Sequence, residues 1–256
     1  MIYFILGILL SCCNLIFADM EHHGGDDTIL SEIEEAPLFV SLGSYCVPAL
    51  TTKNCGCRKA AFPFDWLYSM DLDMVIEMIQ DDFVHFFTPE YLLPSQDGQG
   101  LFHTYYHLEL YHDGTGWGKE EHNSNMEILH SKFTRRIHRF KGLESFEGKV
   151  YFVRSSSYYS LDAGRIYPKK ENLEITDEDA IRLNSILKHR FPNLDFKLII
   201  LNSHFREAVV IEKILFDEIM MARGPITMGA SDAHCHFYRD LQKTDLFPHG
   251  TGLVWE

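Results

Sequence analysis

Three short runs of apolar residues constrain the fold of this chain more than any other feature. They are Leu38–Leu42 (LFVSL), Val150–Val153 (VYFV) and Phe196–Leu201 (FKLIIL). Because their apolar residues follow one another without alternation, each run is typical of a strand that is buried on both faces. Strands of this kind occur in parallel sheets that helices cover on either side. The three runs therefore predict an α/β fold.

Apolar residues between and after these runs recur every three or four positions, which predicts helices. The helical segments are Leu72–Ile79, Leu129–Phe140, Ile181–Phe191 and Ala208–Ala222. Thr176 and Asp179 are typical of a capping box ahead of the third, and Gly224 with Pro225 would end the fourth. Strands that alternate with helices predict one α/β domain over residues 37–256, with a mostly parallel central sheet flanked by helices.

The segment 87–117 differs from the rest because it mixes Tyr, His, Gly and Pro. Alternation over residues 103–111 predicts a strand or ribbon, and we expect this aromatic, histidine-rich insertion to lie over the functional site. His103 and His107 would share a face in a helix, although their segment predicts a strand. Two other histidines follow an aspartate in the order Asp232, His234, His236. No further element of fixed spacing completes either set, so no metal or other cofactor is predicted.

The amino end predicts export. Residues 2–18 carry no charge, which is typical of a signal peptide over residues 1–18 and predicts a secreted or extracytoplasmic protein. The alternatives are an uncleaved membrane anchor, a lipid anchor at Cys12, or a core strand. Residues 19–36 contain seven acidic residues and neither Lys nor Arg, which predicts an acidic, disordered leader.

Composition narrows the class of partner. The chain has 23 basic and 37 acidic side chains, for a formal charge of −14, and 46% of its residues are hydrophobic. This charge excludes a general affinity for nucleic acid or anionic lipid, while the apolar content suits a packed core. We expect a small-molecule, peptide or glycan substrate, no nucleic acid and no stable membrane span once the signal is removed. The sequence leaves the oligomeric state open.

The turn after the first apolar run is the first candidate catalytic element. Gly43 permits a sharp turn, and Pro48 is tolerated in the opening turn of a helix, so Cys46 is predicted at a helix N-terminus. Free amide groups and the helix dipole there would stabilise a thiolate, and the amides after Gly43, including that of Ser44, could hold an oxyanion. The alternative is a buried structural cysteine or half of a disulfide.

Cysteine pairing bears on that choice. Once residues 1–18 are removed, the cysteines left are Cys46, Cys55, Cys57 and Cys235, and four cysteines allow three pairings. If Cys46 is a free nucleophile, one of the other three must also be unpaired. The Cys55-Gly56-Cys57 spacing is too close for a zinc knuckle and predicts a structural disulfide through one member.

Several arginines are candidates for anion binding. Arg58 and Asp65-Trp66 would bind a carboxylate or phosphate, or would form a buried strut beneath aromatic side chains. Arg154 ends a predicted strand, where binding residues emerge in α/β sheets. Arg136 belongs to a basic strip beside the apolar stripe of its helix, which would face either an acidic ligand or solvent. The other members of the strip are Lys132, Arg135 and Arg139.

The order of these motifs resembles a family of proteins described as papain-like cysteine peptidases. The similarity extends from about Phe39 to Arg154 and rests on SLGSYC (Ser41–Cys46), Arg58, PFDW (Pro63–Trp66) with Ser69, KFTRRIHRF (Lys132–Phe140) and VYFVR (Val150–Arg154). The resemblance implies a cysteine nucleophile, at Cys46, paired with a histidine. It places the His-Asp pair of the middle region at His112 and Asp113. A more distantly similar bacterial group of polysaccharide biosynthesis implies acyl transfer.

Two hypotheses on function follow. In the first, the chain is a secreted cysteine-dependent hydrolase or acyltransferase that works through a thioester, with Cys46 as nucleophile and His112 as base. Asp113 is adjacent to His112, and His234 is the rival base. In the second, the chain is a non-catalytic secreted module that binds a glycan or another anionic ligand through Arg58 and Arg154, and Cys46 is structural.

Overall fold

The computed structural model describes residue 30 and the ranges 37–95, 100–110, 122–156, 174–204, 209–225, 232–244 and 254–255. The helices are α1 (Val47–Asn54), α2 (Leu72–Gln80), α3 (His122–Gly142), α4 (Asp177–Arg190) and α5 (Asp232–Thr244). The strands are β1 (Leu38–Ser41), β2 (Leu92–Pro94), β3 (Leu101–His103), β4 (Leu108–Leu110), β5 (Val150–Ser155), β6 (Phe196–His204), β7 (Val209–Leu215), β8 (Ile219–Pro225) and β9 (Val254–Trp255).

The larger sheet has the strand order β1-β5-β6-β8-β7-β9. Strands β1, β5, β6 and β8 are parallel neighbours, whereas β7 runs antiparallel to β8 and to β9. The three apolar runs form β1, β5 and β6, which confirms the prediction of a mostly parallel central sheet in an α/β fold. Because these strands are parallel, their carboxyl ends lie along one edge, where the turn to α1 begins.

Both faces of this sheet are buried. Along β5, Phe152 faces a core that includes side chains of α2, α3 and α4, whereas Tyr151 and Val153 face a second core with side chains of α5. Successive residues of a strand point to opposite faces, so a sheet covered on both sides needs apolar residues at every position. This requirement explains why the three runs show no polar alternation.

The first three helical predictions are confirmed. Helix α2 buries Val75, Met78 and Ile79 on one side, as the spacing predicts. Helix α4 begins after Thr176, whose hydroxyl accepts a hydrogen bond from the Asp179 amide while the Asp179 carboxylate accepts from the Thr176 amide. This is the predicted capping box, and it satisfies two of the amide groups that a helix start leaves without intrahelical partners.

The predicted helix over residues 208–222 is wrong. This segment forms most of the hairpin β7–β8, which is paired from Val210–Arg223 to Leu215–Ile219 with one register shift. Phe216 and Asp217 both have positive φ, and the Glu218 amide donates to the Leu215 carbonyl, which closes a tight hairpin turn. Branched Val and Ile residues favour extended strands. Val209 and Ile211 are buried in the core that includes side chains of α5.

The histidine-rich segment contains the small antiparallel sheet β2-β3-β4, as its alternation predicts for a ribbon. The turn between β3 and β4 carries two tyrosines that donate hydrogen bonds to acidic side chains. The Tyr106 hydroxyl donates to Asp81 at 2.5 Å, and the Tyr105 hydroxyl donates to Glu77 at 2.7 Å. These bonds attach the ribbon to α2. Residues 96–99 and 111–117 of the predicted insertion lie outside the described residues.

No helix among the described residues combines the length and the apolar character that a membrane span requires. The signal peptide at 1–18 lies outside the described residues, as does the leader at 19–36 apart from Leu30.

Candidate active site

The candidate site is the turn from β1 into α1. Cys46 is the residue immediately before α1, and its carbonyl accepts the first helical hydrogen bond from the Leu50 amide at 2.8 Å. Pro48 occupies the opening turn of the helix, as the sequence predicts. Cys46 is buried and forms no disulfide among the described residues. The amide groups of this first turn have no partners within the helix and so can act on a charge at the cysteine.

Two successive residues with positive φ bend the chain ahead of Cys46. Gly43 has φ +74° and Ser44 has φ +84°. The Gly43 amide donates to the Ser41 hydroxyl, and the Ser44 amide donates to the Ser69 hydroxyl at 3.3 Å. The Ser69 amide in turn donates to the Ser44 carbonyl at 3.0 Å. Ser69 therefore holds the turn to a segment 25 residues away. The sequence motif that contains Ser69 gives no indication of this role.

Arg154 holds the same turn from beneath. Its Nη1 donates to the Leu42 carbonyl at 2.8 Å, and its Nη2 donates to the carbonyls of Ser69 and Met70. The side chain is 1% exposed, and burial lowers its pKa to about 9, while the charge of Asp71 acts in the opposite direction. Both terminal nitrogens are thus bonded to main-chain carbonyls. The structure thus gives Arg154 a structural role in the turn, and its contact with a ligand stays a prediction.

We expect Gly43→Ala to lower the free energy of unfolding by about 3 to 4 kcal/mol, which denaturant unfolding would measure. A Cβ atom at Gly43 would collide with the Ser69 hydroxyl and would lie 3.3 Å from the Phe64 carbonyl oxygen, in addition to the cost of a positive φ. Gly56→Ala is the matched control, because Gly56 has φ +73° but open space around a Cβ. The control is expected to cost about 1 to 2 kcal/mol. Equal losses in both variants would contradict a tightly packed turn.

The described cysteines form one disulfide, between Cys55 and Cys235. Cys46 and Cys57 are both buried and take no part in a disulfide among the described residues. The prediction of a structural disulfide through the Cys55-Gly56-Cys57 segment is therefore confirmed, and Cys57 is the second unpaired cysteine that a free Cys46 requires. Burial raises the pKa of the Cys57 thiol, which makes it a poor nucleophile at neutral pH.

Arg58, Asp65 and Trp66 form a strut. The Arg58 guanidinium donates to Asp65 at 2.6 Å, and the two side chains are 8% and 2% exposed. The Phe62 amide also donates to the Asp65 carboxylate at 2.9 Å, and Arg58 lies 5.5 Å from the Trp66 ring centroid. The structure matches the strut interpretation, because the guanidinium is occupied by a buried carboxylate of its own chain.

The basic strip predicted on α3 is divided between two environments. Arg136 is buried with its guanidinium over the Phe133 ring, and Arg139 is buried and donates to the Ala61 carbonyl. Arg135 is exposed and donates to Ser131. The strip is therefore neither a continuous solvated face nor a continuous binding surface. Arg139 instead connects α3 to the segment that carries the Arg58 strut.

His234 lies at the start of α5. Its Nε2 lies 3.1 Å from the position that a Cβ would take on Gly224, a site that Leu201 also contacts. Gly224 and Leu201 belong to β8 and β6, which are three strands and two strands away from β1. The neighbouring Cys235 is bonded to Cys55, at the end of α1 opposite to Cys46. The described contacts therefore associate His234 with β6, β8 and the disulfide.

The described histidines of the other predicted sets do not converge. His103 is buried while His107 is exposed, and His234 is buried while His236 is exposed. Within the part of the chain that the structure describes, no three His, Cys, Asp or Glu side chains are grouped as metal ligands. His112 and Asp113 lie outside the described residues.

Two buried histidines give a testable dependence of stability on pH. Burial lowers the pKa of both His103 and His234 to about 4. The Nδ1 of His103 accepts from the Tyr106 amide, and its Nε2 is 3.1 Å from the His85 carbonyl, an arrangement that suits neutral imidazole. Since these folded-state values lie below the value of about 6.5 in the unfolded chain, the unfolded state binds more protons as the pH falls below 6.5.

Stability is therefore expected to be complete above pH 6.5 and to fall towards pH 4, by about 1.4 kcal/mol per pH unit for each histidine. Urea unfolding at several pH values measures this slope. His234→Gln should remove about half of the slope that the two histidines supply, and the exposed His107→Gln is the control. An unchanged slope in His234→Gln would contradict burial of a neutral His234.

In this α/β protein the first strand leads through a strained turn to a buried cysteine at a helix start, and this arrangement makes Cys46 the candidate nucleophile. A family model with the description "Putative papain-like cysteine peptidase (DUF1796)" matches residues 37–204. The chain belongs to this family, and the resemblance predicted from the sequence motifs is confirmed at that level. The matched residues include Cys46, Arg58, Asp65 and Arg154, whereas His234 lies beyond them.

One curated relative is an uncharacterized protein, R408, of Acanthamoeba polyphaga mimivirus. It is 27% identical to this chain over 135 residues, which cover 46% of this chain and 60% of the relative. The match thus spans less than two thirds of the relative's length. No solved structure matches this chain.

Proposed function

We propose that this chain is an exported cysteine-dependent enzyme that transfers or hydrolyses acyl groups, with Cys46 as the nucleophile. The observation that carries the proposal is the position of Cys46, a buried cysteine outside the described disulfide, at the start of α1 and directly after the strained turn that follows β1. Membership of a family described as papain-like cysteine peptidases supports the same reaction class. A thiolate at a helix start is stabilised by the unpaired amides and by the helix dipole.

The proposed reaction has two steps. The Cys46 thiolate attacks the acyl carbon, the bond from that carbon to the leaving oxygen or nitrogen breaks, and a thioester forms while His112 gives the leaving group a proton. Water or an acceptor hydroxyl then attacks the thioester, His112 accepts its proton, and the thiolate is restored. His112 and its neighbour Asp113 keep these roles as proposals from the sequence. His234, as neutral imidazole at pH 7, remains the rival base.

The disulfide supports export. Cys55 and Cys235 are separated by 180 residues and are bonded across the interface between α1 and α5. Structural disulfides persist in oxidising compartments and are rare where glutathione and thioredoxin keep thiols reduced. A secreted or extracytoplasmic location is therefore consistent with this bond, with a small molecule, a peptide or a glycan as substrate.

The binding-module hypothesis is less well supported. It requires Arg58 and Arg154 to contact an anionic ligand. Arg58 is paired with a buried Asp65, and both terminal nitrogens of Arg154 donate to main-chain carbonyls. A ligand would have to displace these internal partners before it could bind either guanidinium group.

The experiment is acylation by p-nitrophenyl acetate, followed by mapping of the acetyl group by mass spectrometry under non-reducing conditions. We expect the acetyl group on Cys46, and iodoacetamide should alkylate the same thiol at a pH well below the ordinary value of about 8.5. Cys57→Ser is the matched control because Cys57 is the other described free and buried cysteine. A Cys46 that stays inert to both reagents until the chain unfolds would overturn the proposal.

A further inference from the structure

The turn at Ser44 contains an unused polar group. The Ser44 side chain is 0% exposed, and its hydroxyl has no hydrogen-bond partner among the described residues. The backbone of the same residue is satisfied, because its amide donates to the Ser69 hydroxyl and its carbonyl accepts from the Ser69 amide. Buried hydroxyl groups without a partner are uncommon in folded proteins, since burial removes the hydrogen bonds that water supplies.

The conformation of Ser44 adds a second cost. Its φ of +84° lies in the left-handed region, which glycine adopts freely and serine does not. The preceding residue, Gly43, also has a positive φ. A glycine at position 44 would therefore remove both the backbone strain and the unpaired hydroxyl. The fold alone gives no reason for a serine at this position, so the reason must be sought in what the hydroxyl could contact.

The hydrogen-bond donors next to Cys46 indicate which contact the Ser44 hydroxyl could make. The Gly43 amide is used by the Ser41 hydroxyl, and the Ser44 amide is used by the Ser69 hydroxyl. Neither of these two amides is therefore available to an oxyanion, although the sequence predicts this role for the Ser44 amide. The Ser44 hydroxyl has no partner among the described residues, so it is a hydrogen-bond donor that remains available two residues before Cys46. The α-carbons of Ser44 and Cys46 are at most about 7 Å apart.

We propose that Ser44 is a catalytic residue whose hydroxyl donates a hydrogen bond to the oxyanion formed when Cys46 attacks an acyl carbon. This inference rests on the proposed function of Cys46. During acylation the carbonyl π electrons move to the oxygen, so a donor that finds no partner in the resting protein gains one as that negative charge develops. A preorganised donor of this kind stabilises the transition state more than the ground state.

The Ser69 and Arg154 side chains keep this donor in place. The Ser69 hydroxyl accepts from the Ser44 amide and lies 3.3 Å from Arg154 Nη1. Arg154 also donates to the Leu42 carbonyl at the end of β1. The turn is therefore fixed from two distant parts of the chain, and little reorganisation is required when the oxyanion forms. Ser69 and Arg154 act through Ser44 and so are positioning residues.

The test compares two reactions of the same thiol in Ser44→Ala and Ser44→Gly. Acylation by p-nitrophenyl acetate forms an oxyanion, whereas alkylation by iodoacetamide displaces iodide at a saturated carbon and forms none. We expect both variants to slow acylation by about 10²- to 10³-fold, because loss of one oxyanion donor has effects of this order. Alkylation of Cys46 should change by less than about threefold, since a hydrogen bond to an oxyanion has no part in that step.

Stability supplies an independent readout. Ser44→Gly removes strain and an unpaired hydroxyl, so its Tm is expected to rise by about 2 to 4 °C while its acylation slows. His107→Gly is the matched control, because His107 also has a positive φ but is exposed in the β3–β4 turn. The control should gain stability and keep the wild-type rate of acylation.

Three results would overturn the inference. Acylation of Ser44→Ala at the wild-type rate would show that the hydroxyl is not a donor to the oxyanion. Equal slowing of acylation and alkylation would show that Ser44 serves the geometry of the turn instead. If wild-type Cys46 reacts with neither reagent, the proposed function fails together with the role of Ser44, whereas the first two results leave Cys46 as the nucleophile.

Discussion

Replacement of Cys46 by serine is expected to lower turnover of p-nitrophenyl acetate by at least about 10³-fold, because the activated thiolate is lost and serine at this position lacks the low pKa of a thiol. The free energy of unfolding should change by less than about 1 kcal/mol, since serine differs from cysteine only in having Oγ in place of Sγ. Initial rates of nitrophenolate release and urea unfolding measure the two effects.

Cys57→Ser is the control for this experiment, because it removes a free buried thiol outside the candidate site. Its turnover should match that of the wild type. Wild-type turnover in Cys46→Ser, or the same loss in both variants, would contradict the assignment of Cys46. A large loss of stability in Cys46→Ser would instead indicate that this cysteine is mainly a packing residue.

Removal of the disulfide is expected to have the largest effect on stability. The double variant Cys55→Ser/Cys235→Ser frees two segments that are 180 residues apart, and a chain-entropy treatment of a loop of that size gives a loss of about 5 kcal/mol. Urea unfolding of the oxidised wild type and of the variant measures the difference. The variant should unfold at a lower midpoint.

The reduced wild type provides a second test of the disulfide. If reduction by dithiothreitol and the double serine variant give the same unfolding midpoint, the bond itself and not the serine side chains accounts for the loss. A change below about 1 kcal/mol in both would mean that α1 and α5 are held together by packing alone. The other contacts between these segments include the hydrogen bond that Arg239 Nε donates to the Cys55 carbonyl at 3.2 Å.

Much of the fold could be predicted from the sequence because its strands are buried on both faces. Uninterrupted apolar runs have few alternatives, so β1, β5 and β6 were predictable without knowledge of their neighbours. The β7–β8 hairpin was not, since its turn contains Phe216 and Asp217 with positive φ in place of the glycine or asparagine typical of such turns. Without that signal, the apolar spacing of the segment resembled a helix.

The candidate site could be predicted only in part. Gly43, Pro48 and the preceding strand place Cys46 at a helix start through local rules, and the structure has that arrangement. The roles of the arginines depend on distant partners that no local pattern reveals. Arg154 follows the rule for a strand end, yet the carbonyls of Leu42, Ser69 and Met70 enclose it.

The disulfide pairing also could not be predicted from the sequence, because nothing local distinguishes Cys55 from Cys57. Which of them bonds to Cys235 is decided by where α5 packs against α1. The unpaired hydroxyl of Ser44 is also a property of the folded protein. A serine two residues before a cysteine has no unusual features in the sequence. Its positive φ and the lack of a hydrogen-bond partner for its hydroxyl are known only from the structure.

Helix α1 is held at both ends by residues that are synthesised much later than the helix itself. The turn before α1 requires Arg154, which is 112 residues beyond its partner Leu42, and the far end requires Cys235. Nascent chains emerge from the ribosome in order, so β1, Cys46 and α1 are made long before the residues that hold them. An incomplete chain therefore contains Cys46 without the two contacts that fix the ends of α1, and this part of the fold is completed only when most of the polypeptide has been produced.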